Sequence, residues 1–343
     1  MGSSPMTLSQ AADLTNKAIQ KIFLKDKGVT EEYFRKMYNV TTGVTDLYMK
    51  DSSLSGLGEA ARVTEQAFIK EEVPVQGFDQ TYTQVLYAKI TAFTWYMWKF
   101  GIKKRDLTRV VKSLKGACYR IRERLLAEKY DAAHLSSYTA SDDSGSYTVT
   151  TSGGDAVAMA SASHTREDGG TAWSNLESDG TTANQDLDYD ALKGLDRIGA
   201  LVKTPKGGPM MVNYNRIVVK KGSPPAWRAK EILGALKRGM IPGEFSNDGS
   251  AVNTFELVEN PFLLGTGDTT STTNLSSATN WHAIDTNLLS DEYGPQYFES
   301  EAIKMADAPK VVFKTNEIQF KAEMAFAYGH NDPRATAHSE GDS

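Results

Sequence analysis

Five histidines, one cysteine and a carboxylate-rich middle are the residues of this chain whose types could do chemistry. His134, His164, His282, His330 and His338 are scattered, with no H-E-x-x-H and no partner cysteines, so their spacing names no metal site. They read as loop histidines, with a composite zinc site as the minor alternative. Asp142-Asp143-Ser144-Gly145 starts like a calcium loop but lacks the alternating oxygen ligands and the distant Glu, so it reads as a solvated turn. No G-x-S-x-G elbow is present, and no G-x-G-x-x-G follows a strand. Lys206-Gly207-Gly208-Pro209 lacks the spacing and the Lys-Ser/Thr end of a phosphate loop. Cys118 would be a nucleophile only if exposed beside a base, and its place in an apolar stripe points to packing. The expectation is a protein that is not an enzyme and holds no cofactor or metal.

Charge is the more informative chemistry. The net charge is only −5, yet 103–129 carries a balance of +7 and 136–190 a balance of −9. The basic block holds Arg109, Lys112, Lys115, Arg120, Arg122 and Arg124 around an apolar stripe of Leu107, Val110, Val111, Leu114, Cys118, Ile121 and Leu125. Such a face can meet nucleic acid, meet an acidic neighbour, or simply be solvated. Glu65, Glu71 and Glu72 are the acidic candidates, through an ion pair between subunits. Little aromatic interleaving accompanies the cations, which argues against sequence-specific base recognition.

These residues need elements to position them. The basic block predicts a helix of about 24 residues, roughly 36 Å long, with Asp106 as its N-cap. Upstream, 61–72 and 80–94 read as two strands joined by Val73-Pro74-Val75-Gln76-Gly77. A strand of about 14 residues spans roughly 45 Å, against a radius of gyration of about 20 Å for a compact chain of this size. The hairpin should therefore project, and it carries too little apolar bulk to stand alone in water. Residues 9–23 and a stretch starting at Thr30 read as short, arm-like helices. The 55 residues 136–190 include 32 Ser, Thr, Gly or Asp and read as a long surface excursion with a β-element at 146–151. A second such tract is 265–280.

Further on, a helix from Tyr189 should bury Leu192, Leu195, Ile198 and Leu201. Residues 210–220 read as a buried strand. Ser223-Pro224 should open a helix to Lys237 with Trp227, Ile232, Leu233 and Leu236 inward and Gly239 past its end. Alternation of Ile318, Phe320, Ala322, Met324, Phe326 and Tyr328 against Glu317, Gln319, Lys321 and Glu323 is the strongest strand signal. Gly329 to Arg334 should end it, leaving a loose polar tail.

At 343 residues and 40% hydrophobic, with a lone cysteine, the chain is a globular protein of one elaborate or several modest domains, without a disulfide. No apolar run is long enough to span a membrane, and no secretory signal is expected at the N-terminus.

The order arm, hairpin, spine helix, mixed central domain and alternating C-terminal strands resembles the major capsid proteins of tailed bacteriophages, the Hong Kong 97-type fold, including Mu-like head subunits. The stretch Glu71-Glu72-Val73-Pro74-Val75-Gln76-Gly77-Phe78 with Thr81-Tyr82-Thr83-Gln84 is similar to the outgoing strand of that family's extended loop. Ser161-Ala162-Ser163-His164-Thr165 with Gly169-Gly170 and Trp173-Ser174-Asn175, Pro209-Met210-Met211-Val212 before the Pro224 helix, and Tyr328 to Arg334 resemble further stretches of it. The resemblance covers most of the chain, and the two Ser/Thr/Gly-rich tracts depart from it.

It implies an α+β fold with an N-terminal arm (1–54), an extended E-loop hairpin (55–100), a P-domain spine helix and polar excursion (101–189), an A-domain (190–285), and P-domain return strands with a C-terminal tail (286–343). It also implies a non-catalytic subunit that assembles with itself through hexamers and pentamers into an icosahedral shell around double-stranded DNA, in the virion, after assembly in a host bacterial cytoplasm. The implied contact residues between subunits are Glu65, Glu71, Glu72, Phe78, Arg109, Lys112, Arg120 and Arg124. Scaffolding, portal and decoration proteins are the other implied partners. The alternatives are an encapsulin-like nanocompartment and a β-rich surface or tail module; the long basic helix argues against the latter.

Overall fold

The computed structural model describes residues 32–341 apart from 59, 61, 64–67, 70, 75, 95, 97–103, 143, 179–184, 238–254, 264–278, 307–309 and 313–315. The expected helix at 9–23, the expected start at Thr30, Gly239 and most of the 265–280 tract lie outside the described residues.

The alternating segment forms β12 (Glu317–Gly329), the centre of the first lobe. One long side pairs antiparallel with β4 (Val85–Thr94); the other pairs with β10 (Gln296–Met305) and β11 (Lys310–Val312). β1 (Asn39–Thr42) adds in parallel to β10. Because side chains alternate across a strand, Ile318, Phe320, Ala322, Met324 and Phe326 all bury on one face. Helix α1 (Lys104–Asp131) packs on that face through Val111, Leu114, Cys118 and Leu125. It begins before Asp106, which is therefore inside the helix and not its cap.

The last three turns of α1 differ from a simple amphipathic helix. Arg122, Glu123, Glu128, Lys129 and Asp131 are all buried. They are covered by a 3-10 turn (Tyr33–Lys36) and by the hairpin of β5 (Ser137–Asp142) with β6 (Gly145–Thr150). The described part of the expected arm is thus built into the body: Phe34, Met37 and Tyr38 are core residues. The Tyr38 hydroxyl donates to Leu126 O at 2.8 Å, and the Tyr130 hydroxyl to Met37 O at 2.6 Å.

The second lobe is a four-stranded sheet in the order β13-β9-β7-β8, formed by Thr336–Ser339, Trp281–Ile284, Arg216–Lys220 and Glu256–Asn260. Helices α2 (Tyr189–Leu201) and α3 (Pro224–Lys237) share its core; a short α4 (Thr286–Ser290) leads back to the first lobe. Asp188 caps α2 by accepting from Ala191 N at 2.7 Å.

Four further expectations about the fold need correction. Residues 336–339 are not a loose tail but a fully buried edge strand, because their backbone completes the β9 ladder. The strand expected over 210–220 begins only at Arg216: Met211 stands at φ 55° and is 84% exposed. Trp227 and Leu201 face outward, not into the core. Finally, the described residues of 61–72 form no strand. The hairpin instead pairs β2 (Tyr48–Leu54), inside the expected arm, with β3 (Gln76–Thr83).

Candidate assembly surface

β3 and β4 are separated only by Gln84, so the hairpin grows directly out of the main sheet. Its root is fixed. Tyr82 packs on Phe298 with centroids 5.2 Å apart, beside Ala327. Asn331 Nδ2 donates to Phe78 O at 3.1 Å. A Cβ at Gly154 would come within 2.0 Å of Asn331 Oδ1 and 2.7 Å of Phe78 Cβ, so only glycine lets the 153–154 backbone close on this root. Ser53 Oγ donates to Glu167.

Beyond the root, burial stops. Sixteen large apolar side chains are exposed among the described residues, and twelve lie between Leu47 and Tyr96. Leu54, Leu57, Val63, Phe68, Ile69 and Val73 surround the tip. Val85, Leu86 and Ile90 line β4. Among the described residues no strand pairs with the outer edge of β4, so a ten-residue row of backbone donors and acceptors adjoins that apolar stripe. This combination is what soluble monomers avoid and what a contact between chains uses.

The charged candidates separate. Glu65 lies outside the described residues. Glu71 is exposed. Glu72 meets Lys206 of its own chain at 3.0 Å and accepts from Gly58 N at 2.9 Å, so its nearest cation is in the second lobe and not on a basic helix. Phe78 is half-buried against its own Gly154. Arg109, Lys112 and Arg120 are exposed along the first half of α1. Arg124 turns inward, donating to Ser141 O at 2.6 Å and facing Glu128 at 3.6 Å. On the hairpin, the Lys50 ammonium at 2.8 Å, with Ser52 and Gln76, holds the Asp79 carboxyl down at about 2.

Arg122 organises the buried seam. Its guanidinium lies 2.8 Å from Glu32, 3.6 Å from Glu299 and 4.0 Å from Glu123, and over the Phe34 ring at 4.4 Å. Burial raises Glu123 to about 7 despite Arg122 and the Phe34 N–H. Burial alone lowers Lys129 to about 7.

The histidines are not loop residues: His164, His282, His330 and His338 are fully buried. His282 Nδ1 and His338 Nδ1 are 2.9 Å apart, so one ring donates and the other accepts, and burial holds both rings below the ordinary imidazole range. Tyr130 of α1 packs on both rings, and His134 lies 6.3 Å from His338. His164 bridges Asp155 at 2.8 Å and Asn175 at 3.1 Å and stacks on Trp173. Three distant segments build this seam, and no local spacing signals it. Among the described residues no group of three His, Cys, Asp or Glu could hold a metal ion. No described helix is long and apolar enough to cross a membrane.

No protein-family model matches the chain, and no curated protein matches it. Among solved structures it is similar to a chain of Gordonia phage Cozz, with 13% identity and TM-score 0.49 over 100% of this chain and 97% of that one. It is similar to the capsid structure of the cyanophage P-SCSP1u, at 10% identity and TM-score 0.49, over 93% and 92% of the two chains. It is also similar to the capsid of a native GTA particle, at 12% identity and TM-score 0.47, over 92% and 93%.

Proposed function

We propose that this chain is the structural subunit of a bacteriophage-type icosahedral head, assembling with copies of itself into a shell around double-stranded DNA. The observation that carries the proposal is the placement of twelve exposed large apolar side chains on one hairpin and its continuing edge strand. At about 25 cal/mol per Å2 of apolar surface, each such side chain gains roughly 1.5–3 kcal/mol when another chain covers it. A surface this apolar needs a permanent partner, and the partner always present at equal concentration is an identical copy.

In this reading β2, β3 and the 55–75 tip are the E-loop, reaching over a neighbour. The first lobe is the P-domain and the second lobe the A-domain near the capsomer centre. Residues 1–31 would supply an arm to another copy. Exposed Arg109, Lys112 and Arg120 would meet phosphate non-specifically or an acidic neighbour. The subunit would carry no catalytic group, assemble in the host cytoplasm and end in the virion, with scaffolding, portal and decoration proteins as further partners.

The test is negative-stain microscopy of the purified chain, paired with a variant in which 57–73 is replaced by a short Gly/Ser linker. Shells from the native chain and none from an equally folded variant are expected. Discrete monomers of the native chain at every concentration would refute the proposal. Particles filled with protein cargo would transfer it to a nanocompartment.

A further inference from the structure

Outside the hairpin, four large apolar side chains remain exposed among the described residues, and three of them, Leu201, Met211 and Trp227, belong to the second lobe. They fall into two groups at opposite edges of its sheet.

The first group borders a cavity. Between 162–178 and the last turns of α2 lies a space of about 520 Å3, walled by Ala162, Trp173, Ile198 and Leu201 and edged by Arg197 and Lys203. Leu201 stands at its mouth. Met211 comes alongside because Met210 N bonds Val202 O at 3.1 Å and Val212 N bonds Gly199 O at 3.3 Å. The cavity sits past the β13 edge: Leu176, one of its lining residues, bridges His338 of β13 in parallel.

Trp227 is at the other edge. It lies in the first turn of α3, 62% exposed, with the Lys230 ammonium 4.8 Å from its ring centre. Lys230 in turn pairs with Glu259 of β8, the outermost strand on that side. Four residues on, and so on the same helix face, Glu231 is exposed and has no ion pair among the described residues. One edge thus offers an aromatic ring with a carboxylate behind it. The other offers an apolar cavity with cations at its rim.

We propose that Trp227 of one copy enters the cavity beside Trp173 of the next, joining second lobes head to tail. The proposal rests on the shell reading for why copies meet, and it names where they meet. The match is one of shape and of charge. A buried aromatic side chain covers about 150–250 Å2, and a cavity of this size accepts it. Glu231 then faces Arg197 and Lys203, and a guanidinium beside an indole face is a favourable pairing. Because donor and acceptor occupy opposite edges, the contact is heterologous, and repeated copies close into a ring when the rotation allows. Tryptophan and arginine at the centre of a contact are the residue types that dominate its energy.

The experiment uses full-length chains carrying Glu231→Cys or Leu201→Cys, both of which keep Trp227, treated with a short bifunctional thiol cross-linker; Cys118 is buried. The mixture should give a covalent dimer that neither variant gives alone. No dimer in the mixture, or equal dimer from Glu231→Cys alone, overturns the proposal. In parallel, Trp227→Ala should raise the concentration needed for assembly by about thirtyfold, as expected of a central anchor. Its thermal melt should be unchanged. Wild-type assembly by a folded Trp227→Ala chain also overturns the contact. Closed particles without the mixed cross-link refute this contact and leave the shell reading intact. Cross-linked rings that never close uphold the contact and refute the shell.

Discussion

The hairpin from Leu47 to Tyr96 and the seam between the end of α1 and β13 reverse each other's composition. The hairpin holds apolar side chains out in water. The seam takes Arg122, Glu123, Glu128, Lys129, His282 and His338 out of water. Neither follows the rule that apolar groups go in and charge stays out. What separates them is the partner. Arg122 and the histidine pair have their partners within the chain. Phe68, Ile69 and Leu86 have no cover among the described residues. A polar group can be buried where its own chain supplies its main partner; an apolar strip left bare marks a surface to be completed by another molecule.

That contrast can be broken in order of expected effect. The largest is Arg122→Ala, which leaves Glu123 and Glu299 buried without their cation. Removing one partner of a buried network costs about 3–5 kcal/mol, read as a lower urea midpoint. A change below 1 kcal/mol would mean the seam is solvated and the contrast false.

Next is the pH dependence of the histidine pair. Burial lowers His282 to about 3, and it lowers His338 well below the ordinary value. The unfolded chain therefore binds protons between about 6.5 and 3 that the folded chain refuses. Stability from these rings is present above pH 6.5 and is lost as pH falls through that window. At pH 4 the loss from His282 is roughly 3 kcal/mol relative to pH 7. His282→Gln should show a flatter melting temperature between pH 7 and 4 than the native chain. Parallel profiles would remove the role assigned to the pair.

The smallest effect is expected from Phe68→Ser with Ile69→Ser. A monomer that leaves both side chains in water should keep its stability within about 0.5 kcal/mol, while assembly is weakened. Clear destabilisation of the isolated subunit would show that the tip is packed on its own body.

How much of this was legible beforehand depended on whether the signal was local. β12 was readable because its apolar residues recur every second position over a whole strand. Helix α1 was readable from its steps of three and four. β2 was missed because Tyr48-Met49-Lys50-Asp51-Ser52-Ser53-Leu54 has no β-branched residue; its conformation comes from pairing with β3. Residues 61–72 misled for the converse reason: strand-forming residue types without a partner strand. β13 reads as a polar tail, since Thr336, Ala337, His338 and Ser339 gain their burial only from β9 and 174–178. The periodicity gives the second half of α1 the same outward basic face as the first, open to nucleic acid, an acidic neighbour or solvent, because nothing near Arg122 in sequence announces Glu32, 90 residues upstream, or Glu299. Of the expected contact residues, Arg109, Lys112, Arg120 and Glu71 are exposed. Glu72, Phe78 and Arg124 have partners inside the chain. Trp227 and Leu201 were assigned inward because the helical period alone cannot tell a second apolar face from the core face.

The position of β12 in the order of synthesis has its own consequence. It is the strand against which β4, β10 and β11 all pair, yet it leaves the ribosome more than 200 residues after β4. Until then α1 has no completed sheet to close on, and the apolar hairpin is displayed beside an open core. Sheets dominated by such distant pairings form slowly and are prone to aggregate while they wait. Newly made copies therefore display that apolar strip for the whole time translation takes to reach residue 329, and crowding of unfinished chains is the hazard the fold carries.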